Sequence, residues 1–157
     1  MVGGERPDMA KSRLRLLAHD EEDLEILSAH LQDSVIRVGD MAFLPRARRF
    51  VALVNRFCWE SEHDEAGPCQ RMRAGLHFDG VLRVKTRRIR QDDPDAVLEL
   101  LAIRFTRQED GAGAIDLFCA AGGLIRLEVE CIDATLSDIG APWPAKARPV
   151  HDLEAKS

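Results

Sequence analysis

The side chains with the widest chemical reach crowd into one stretch, WESEHDEAGPCQ (59–70), where Glu60, Glu62, His63, Asp64, Glu65 and Cys69 offer oxygen, nitrogen and sulfur donors. A divalent ion needs three or four ligands converging within about 2.0–2.6 Å, and closed zinc sites draw on spaced Cys or His pairs. Here the donors are contiguous, with one His and one Cys, so the spacing encodes no such geometry, and neither a metal nor a cofactor is expected. Ser61, His63 and Asp64 share the same loop. A nucleophile, however, takes its base and orienting group from separate elements. No G-x-S-x-G elbow is present, and the glycine clusters at 111–113 and 122–123 lack the Lys-Ser/Thr of a phosphate loop. No catalytic signature emerges, and the balance leans away from an enzyme.

The strongest local charge signal is RVKTRRIR (83–90). On a strand it projects Arg83, Lys85 and Arg87 to one side, an arrangement able to meet phosphates. Against nucleic acid stand the absence of aromatic residues within the stretch, the absence of any Tyr, and a net charge of −5. Basic residues guarding a sheet edge are the plainer reading. Arg56 interrupts an apolar run on what should be a central strand. Either the strand end emerges into solvent, or Arg56 pairs with an acid such as Glu60, Asp79 or Asp40, because a buried guanidinium must be compensated. A cleft near Arg56, Arg73, His77 and Asp79 would be the place for an anionic ligand or a small active site.

The elements that must hold these groups follow from periodicity. At 157 residues, with 45% hydrophobic and 31% charged residues, the chain suits one domain. Residues 1–12 have no apolar run of the kind an export signal needs, and no stretch approaches the ~20 apolar residues of a membrane span. The four cysteines form no C-x-x-C pair. A cytoplasmic protein is expected, with no membrane association. Residues 13–18 alternate as a strand. Asp20 then reads as the N-cap of a helix to about Gln32, with Leu24, Leu27 and Leu31 on its buried stripe. Strands are expected at 35–38, 41–44 and 49–59. The last of these is apolar on both faces, hence central and covered twice.

Residues 71–87 alternate with Ala74, Leu76, Phe78, Leu82 and Val84 inward and Arg73, His77, Asp79, Arg83, Lys85 and Arg87 outward, bending at Gly80. The 97–107 strand should bury Leu101, Ile103 and Phe105. A hairpin over 114–132 turns at Gly122-Gly123. Residues 133–140 read as a helical turn, and 141–157 as a proline-containing tail.

Five strings taken together resemble a known family: LRLLAHDEEDLEILSAHLQD (14–33), RFVALVNRFCWE (49–60), RAGLHFDGVLRV (73–84), VLELLAIRF (97–105) and IRLEVECIDATLSDIG (125–140). They resemble the domain of unknown function 2948. The resemblance implies a bacterial cytoplasmic origin and transfers no activity, cofactor or catalytic residue. The expected fold is α+β: a single domain over 13–140 of seven to eight mostly antiparallel strands, as a split barrel or two abutting sheets, with one N-terminal helix packed on a face. The expected function is a non-enzymatic binding or interaction module, with self-association or a protein partner in view. The alternatives are an anion- or metabolite-binding protein or small enzyme at the Arg56, Arg73, His77, Asp79 cleft, and RNA binding through 83–90.

Overall fold

Asp20 starts helix α1 (Glu21–Leu31) by accepting the Asp23 amide at 2.8 Å, a cap that contributes about 1 kcal/mol. Asp23 in turn accepts the His19 amide at 3.1 Å. Leu24, Leu27 and Leu31 are buried, each stabilising by on the order of 1.5–3 kcal/mol relative to exposure. The computed structural model describes residues 14–57 and 70–144. The acidic segment with its candidate ligands, from Glu60 to Cys69, lies outside these.

Among the described residues there are ten strands: β1 (Arg15–Ala18), β2 (Val35–Arg37), β3 (Met41–Leu44), β4 (Arg49–Phe57), β5 (Gln70–Asp79), β6 (Val81–Arg87), β7 (Val97–Arg107), β8 (Gly113–Cys119), β9 (Leu124–Val129) and β10 (Ala134–Pro144). They form one open, antiparallel sheet in the order β1-β10-β5-β4-β2-β7-β8-β9-β6, with β3 paired to β4 beside β2. The α+β class agrees with expectation. The seven to eight strands do not, and the sheet is not closed into a barrel. Short β2 joins two halves, pairing Val35 with Asn55 of β4 and Val35–Arg37 with Val97–Glu99 of β7. The inward residues of both halves belong to one core cluster together with the α1 leucines, so the sheet bends over a single core. Helix α1 packs against β7, β1 and β4. No helix among the described residues is long and apolar enough to cross a membrane.

The chain crosses between the halves at Gly80, whose φ of +72° falls where glycine is free of Cβ strain. Hydrogen bonds tie the crossing down: Val81 N donates to Arg48 O at 2.9 Å and Glu130 N to Gly80 O at 2.9 Å. The expected 71–87 element therefore becomes two strands. β5 keeps the anticipated phase, with Ala74, Leu76 and Phe78 buried. Beyond Gly80 the register shifts, so that Val81 is buried and Leu82 exposed, against expectation. A second irregularity between Leu100 and Ala102 turns Leu101 outward and buries Leu100 in its place. Such bulges reverse the facing of every residue beyond them.

The expected helical turn at 133–140 is a strand. In β10, Ala134 and Leu136 point into the core, and the next inward residue is Asp138, whose charge masks the alternation. Its partner is Arg56. Nε and Nη2 donate to Oδ1 and Oδ2 at 2.9 and 2.8 Å, and both side chains are fully buried. The strand end at Arg56 thus does not emerge into solvent, and among the described residues the acid that meets it is Asp138, not Asp79 or Asp40; Glu60 lies outside the described residues. Asp138 also accepts the Leu14 amide at 2.8 Å, and its own amide donates to Leu14 O at 2.9 Å. One carboxylate thereby fixes the start of β1 and the middle of β10 to the end of β4. Removing either partner strips a buried charge of this two-bond pairing, so Arg56→Ala and Asp138→Ala should each lose about 3–5 kcal/mol in urea unfolding. Arg56→Met combined with Asp138→Leu should regain most of that. A single-variant loss below about 1 kcal/mol would show the pair to be dispensable.

Candidate functional site

The register defines two outward faces of opposite character. On the first half, alternate residues of β1, β10, β5 and β4 line up in rows. One row runs Leu17, Thr135, His77, Val51; the next runs Arg15, Ser137, Gly75, Leu53; a third holds Ile139, Arg73 and Asn55. Gly75 contributes no side chain at the centre, and a hollow of about 480 Å³ opens over it, rimmed by Leu53, Ile139, Val51, His77 and Asp40. A Cβ at Gly75 would already touch Ile139 at 3.4 Å. Ile139 is 45% exposed, Leu53 37% and Leu17 50%. β4 is central, as expected, but its outward residues are half-buried or exposed, with no second layer over them among the described residues.

The proposed cleft of Arg56, Arg73, His77 and Asp79 is divided by the sheet itself. Arg56 lies inside, whereas Arg73, His77 and Asp79 project outward from β5. His77 Nδ1 stands 3.3 Å from Asp79 Oδ2 without hydrogen-bond geometry and has no partner among the described residues. Arg49 Nε already holds Asp79 at 2.6 Å. Asn55 Oδ1, beside Arg73 in the same row, is likewise buried without a partner there. Among the described residues, no three His, Cys, Asp or Glu side chains stand together as a metal site.

Arg83, Lys85 and Arg87 belong to the second outward face, on β6, in rows with β9, β8 and β7. Glu128 lies 3.7 Å from Arg83 and 3.1 Å from Lys85. In the next row, Asp116 binds Arg126 through two hydrogen bonds of 2.7 and 2.8 Å. This hydrogen bond first, and the carboxylate charge second, hold the Arg126 guanidinium above its ordinary pKa. The third row places Phe118, 37% exposed, between Leu124 and Ala102, with Arg87 beyond Leu124. A shallow depression of about 280 Å³ runs among Lys85, Arg87, Phe118 and Arg126. The Gly75 hollow and the Phe118 row were not anticipated. Their only linear trace is the alternation of strands whose pairing the sequence does not state.

The five strings fall in order along the chain, and a family model spans them. The chain belongs to the family described as "Protein of unknown function (DUF2948)", matched over residues 14–151. No curated protein and no solved structure matches this DUF2948 chain. Membership therefore assigns no activity, and the chemistry of the two faces has to carry the functional reading.

One titratable group on the core side has a clear response. Burial pushes the Cys119 thiol from 9.0 up to about 11. The unfolded chain ionises first, so between pH 9 and about 11 it binds fewer protons than the native state, and stability falls as pH rises. Cys119→Ala should make the alkaline decline in the unfolding midpoint shallower over that window. A decline of unchanged depth would assign it to other groups.

Proposed function

We propose that the protein is a non-enzymatic interaction module that pairs with a second copy of itself through the outward face of its first half-sheet. The observation that carries this reading is the apolar hollow over Gly75, with Leu17, Leu53 and Ile139 exposed on the face around it. An exposed apolar patch bounded by polar residues is characteristic of an association surface, and a two-fold dimer uses the same patch twice. With the axis along β5, the central row meets its own reverse. Arg15 at one end, which has no ion pair among the described residues, then faces Asp40 at the other, while Leu17 faces Ala42. Sheets packed face to face cross at about 30°, which keeps contacts closest near the axis, where Gly75 lets the backbones approach. Arg73 lies on the axis column and meets its own copy, a like-charge contact that limits affinity.

Catalysis finds less support. Asp79 is committed to Arg49, and Arg56 is sealed on the opposite side of the sheet. A reducing bacterial cytoplasm is the setting proposed, in keeping with the free thiols of Cys119 and Cys131.

Sedimentation equilibrium should show a dimer. Leu53→Glu should abolish it, and Arg73→Ala should tighten it. Arg15→Asp should weaken the dimer, and adding Asp40→Arg to that chain should restore it. A strict monomer at about 100 µM, where an interface of only about −5.5 kcal/mol would be half formed, would refute the reading.

A further inference from the structure

The second outward face suits a different partner. Three rows there carry five cations, Arg83, Lys85, Arg87, Arg104 and Arg126, on β6, β9 and β7. Among the described residues, only two carboxylates, Asp116 and Glu128, stand in those rows. The acidity of the whole chain is thus reversed locally. Arg88 and Arg90 are exposed and extend the basic character past the end of β6. Arg87 and Arg104 have no ion pair among the described residues, so their guanidinium groups are available to an incoming anion.

The aromatic residue missing from RVKTRRIR is supplied from β8. Phe118 reaches the same row as Arg87 through the pairings Arg87 with Leu124 and Leu124 with Phe118. At 37% exposure its ring presents a surface to solvent, supported from below by the buried Leu117 and Cys119 strand. Arg126 is held in place by Asp116 beside it, so the surroundings of the ring are ordered before any ligand arrives.

We infer that this face binds single-stranded nucleic acid, with a base stacked on Phe118 and the adjoining phosphates on Lys85 and Arg87. A flat sheet carrying an exposed aromatic between cations reads bases by their π-faces and the backbone by charge, which favours unpaired over duplex strands. Alternate residues on β6 project at about 6.6 Å intervals, so Arg83, Lys85 and Arg87 form a track for an extended backbone rather than a pocket for one ion. This inference is independent of the dimer, which uses the opposite half of the sheet.

Fluorescence anisotropy of the full chain with labelled oligouridylate RNA and oligothymidylate DNA of about 16 nucleotides tests it, the length being the upper end of common site sizes. Binding should weaken with salt at a log–log slope of about −2, as expected for three neutralised phosphates on a single strand. Phe118→Ala should weaken binding about 10-fold, within the range for loss of one stacked base, while Phe118→Trp should retain it. Lys85→Gln with Arg87→Gln should weaken binding and reduce the salt slope, and stands in should Phe118→Ala fail to fold. Leu53→Glu should leave binding intact. Preference between the RNA and DNA arms identifies which strand the face takes. No anisotropy change at about 100 µM protein in either arm would overturn the inference. So would equal affinity for duplex, or binding by a folded Phe118→Ala protein equal to that of the parent.

Discussion

The Arg56–Asp138 ion pair is the constraint around which the first half-sheet is organised. It joins β4 to β10 across the buried end of β5, and the same carboxylate fixes β1 through the Leu14 amide. Water cannot replace either partner, because both side chains are fully enclosed. Such a pair is a poor source of net stability compared with well-packed hydrocarbon, since desolvating two charges offsets most of their attraction. What it does provide is register. Sliding β10 by one residue would turn Asp138 out of the core and take its carboxylate away from the buried Arg56 guanidinium, so the alternative pairings are penalised. The outward rows inherit that register: Ser137 beside Gly75, and Ile139 beside Arg73, follow from where Asp138 must sit.

A single core under a bent sheet also explains why the molecule has two chemically distinct exteriors. Each strand spends alternate residues on the shared core, so whatever remains is presented outward in rows. In the first half the remainder is mixed, with an apolar depression at Gly75; in the second it is basic with one exposed aromatic ring. The two lie on opposite sides of the β2 junction and of the Gly80 crossing, where Arg48 and Glu130 also pair. A partner on one face therefore need not displace a partner on the other.

Several features were legible from the residues alone because they depend on local physics. Asp20, the acids that follow it and the 24–27–31 leucine spacing specify α1 without reference to the rest of the chain. The inward phase of Ala74, Leu76 and Phe78 follows from period-two patterning, and the bend at Gly80 follows from a residue tolerant of positive φ, whereas the strand at 49–59, apolar on both faces, left its inward side open. Leu82 and Leu101 were misplaced because a register irregularity adds one residue to a strand without leaving a mark in its composition.

The sequence by itself determined the class of fold, the helix, the facing of β5, and the family, since each rests on short-range spacing or on ordered strings. Only the tertiary structure decided which strands are neighbours. That choice sent Arg56 inward to an acid 82 positions away, separated it from His77, and brought Phe118 into a row with Arg87. The physical reason is that alternation states which way a side chain points but not what lies beside it. Neighbours across strands are selected by the packing of the whole core and by the need to pair every buried charge.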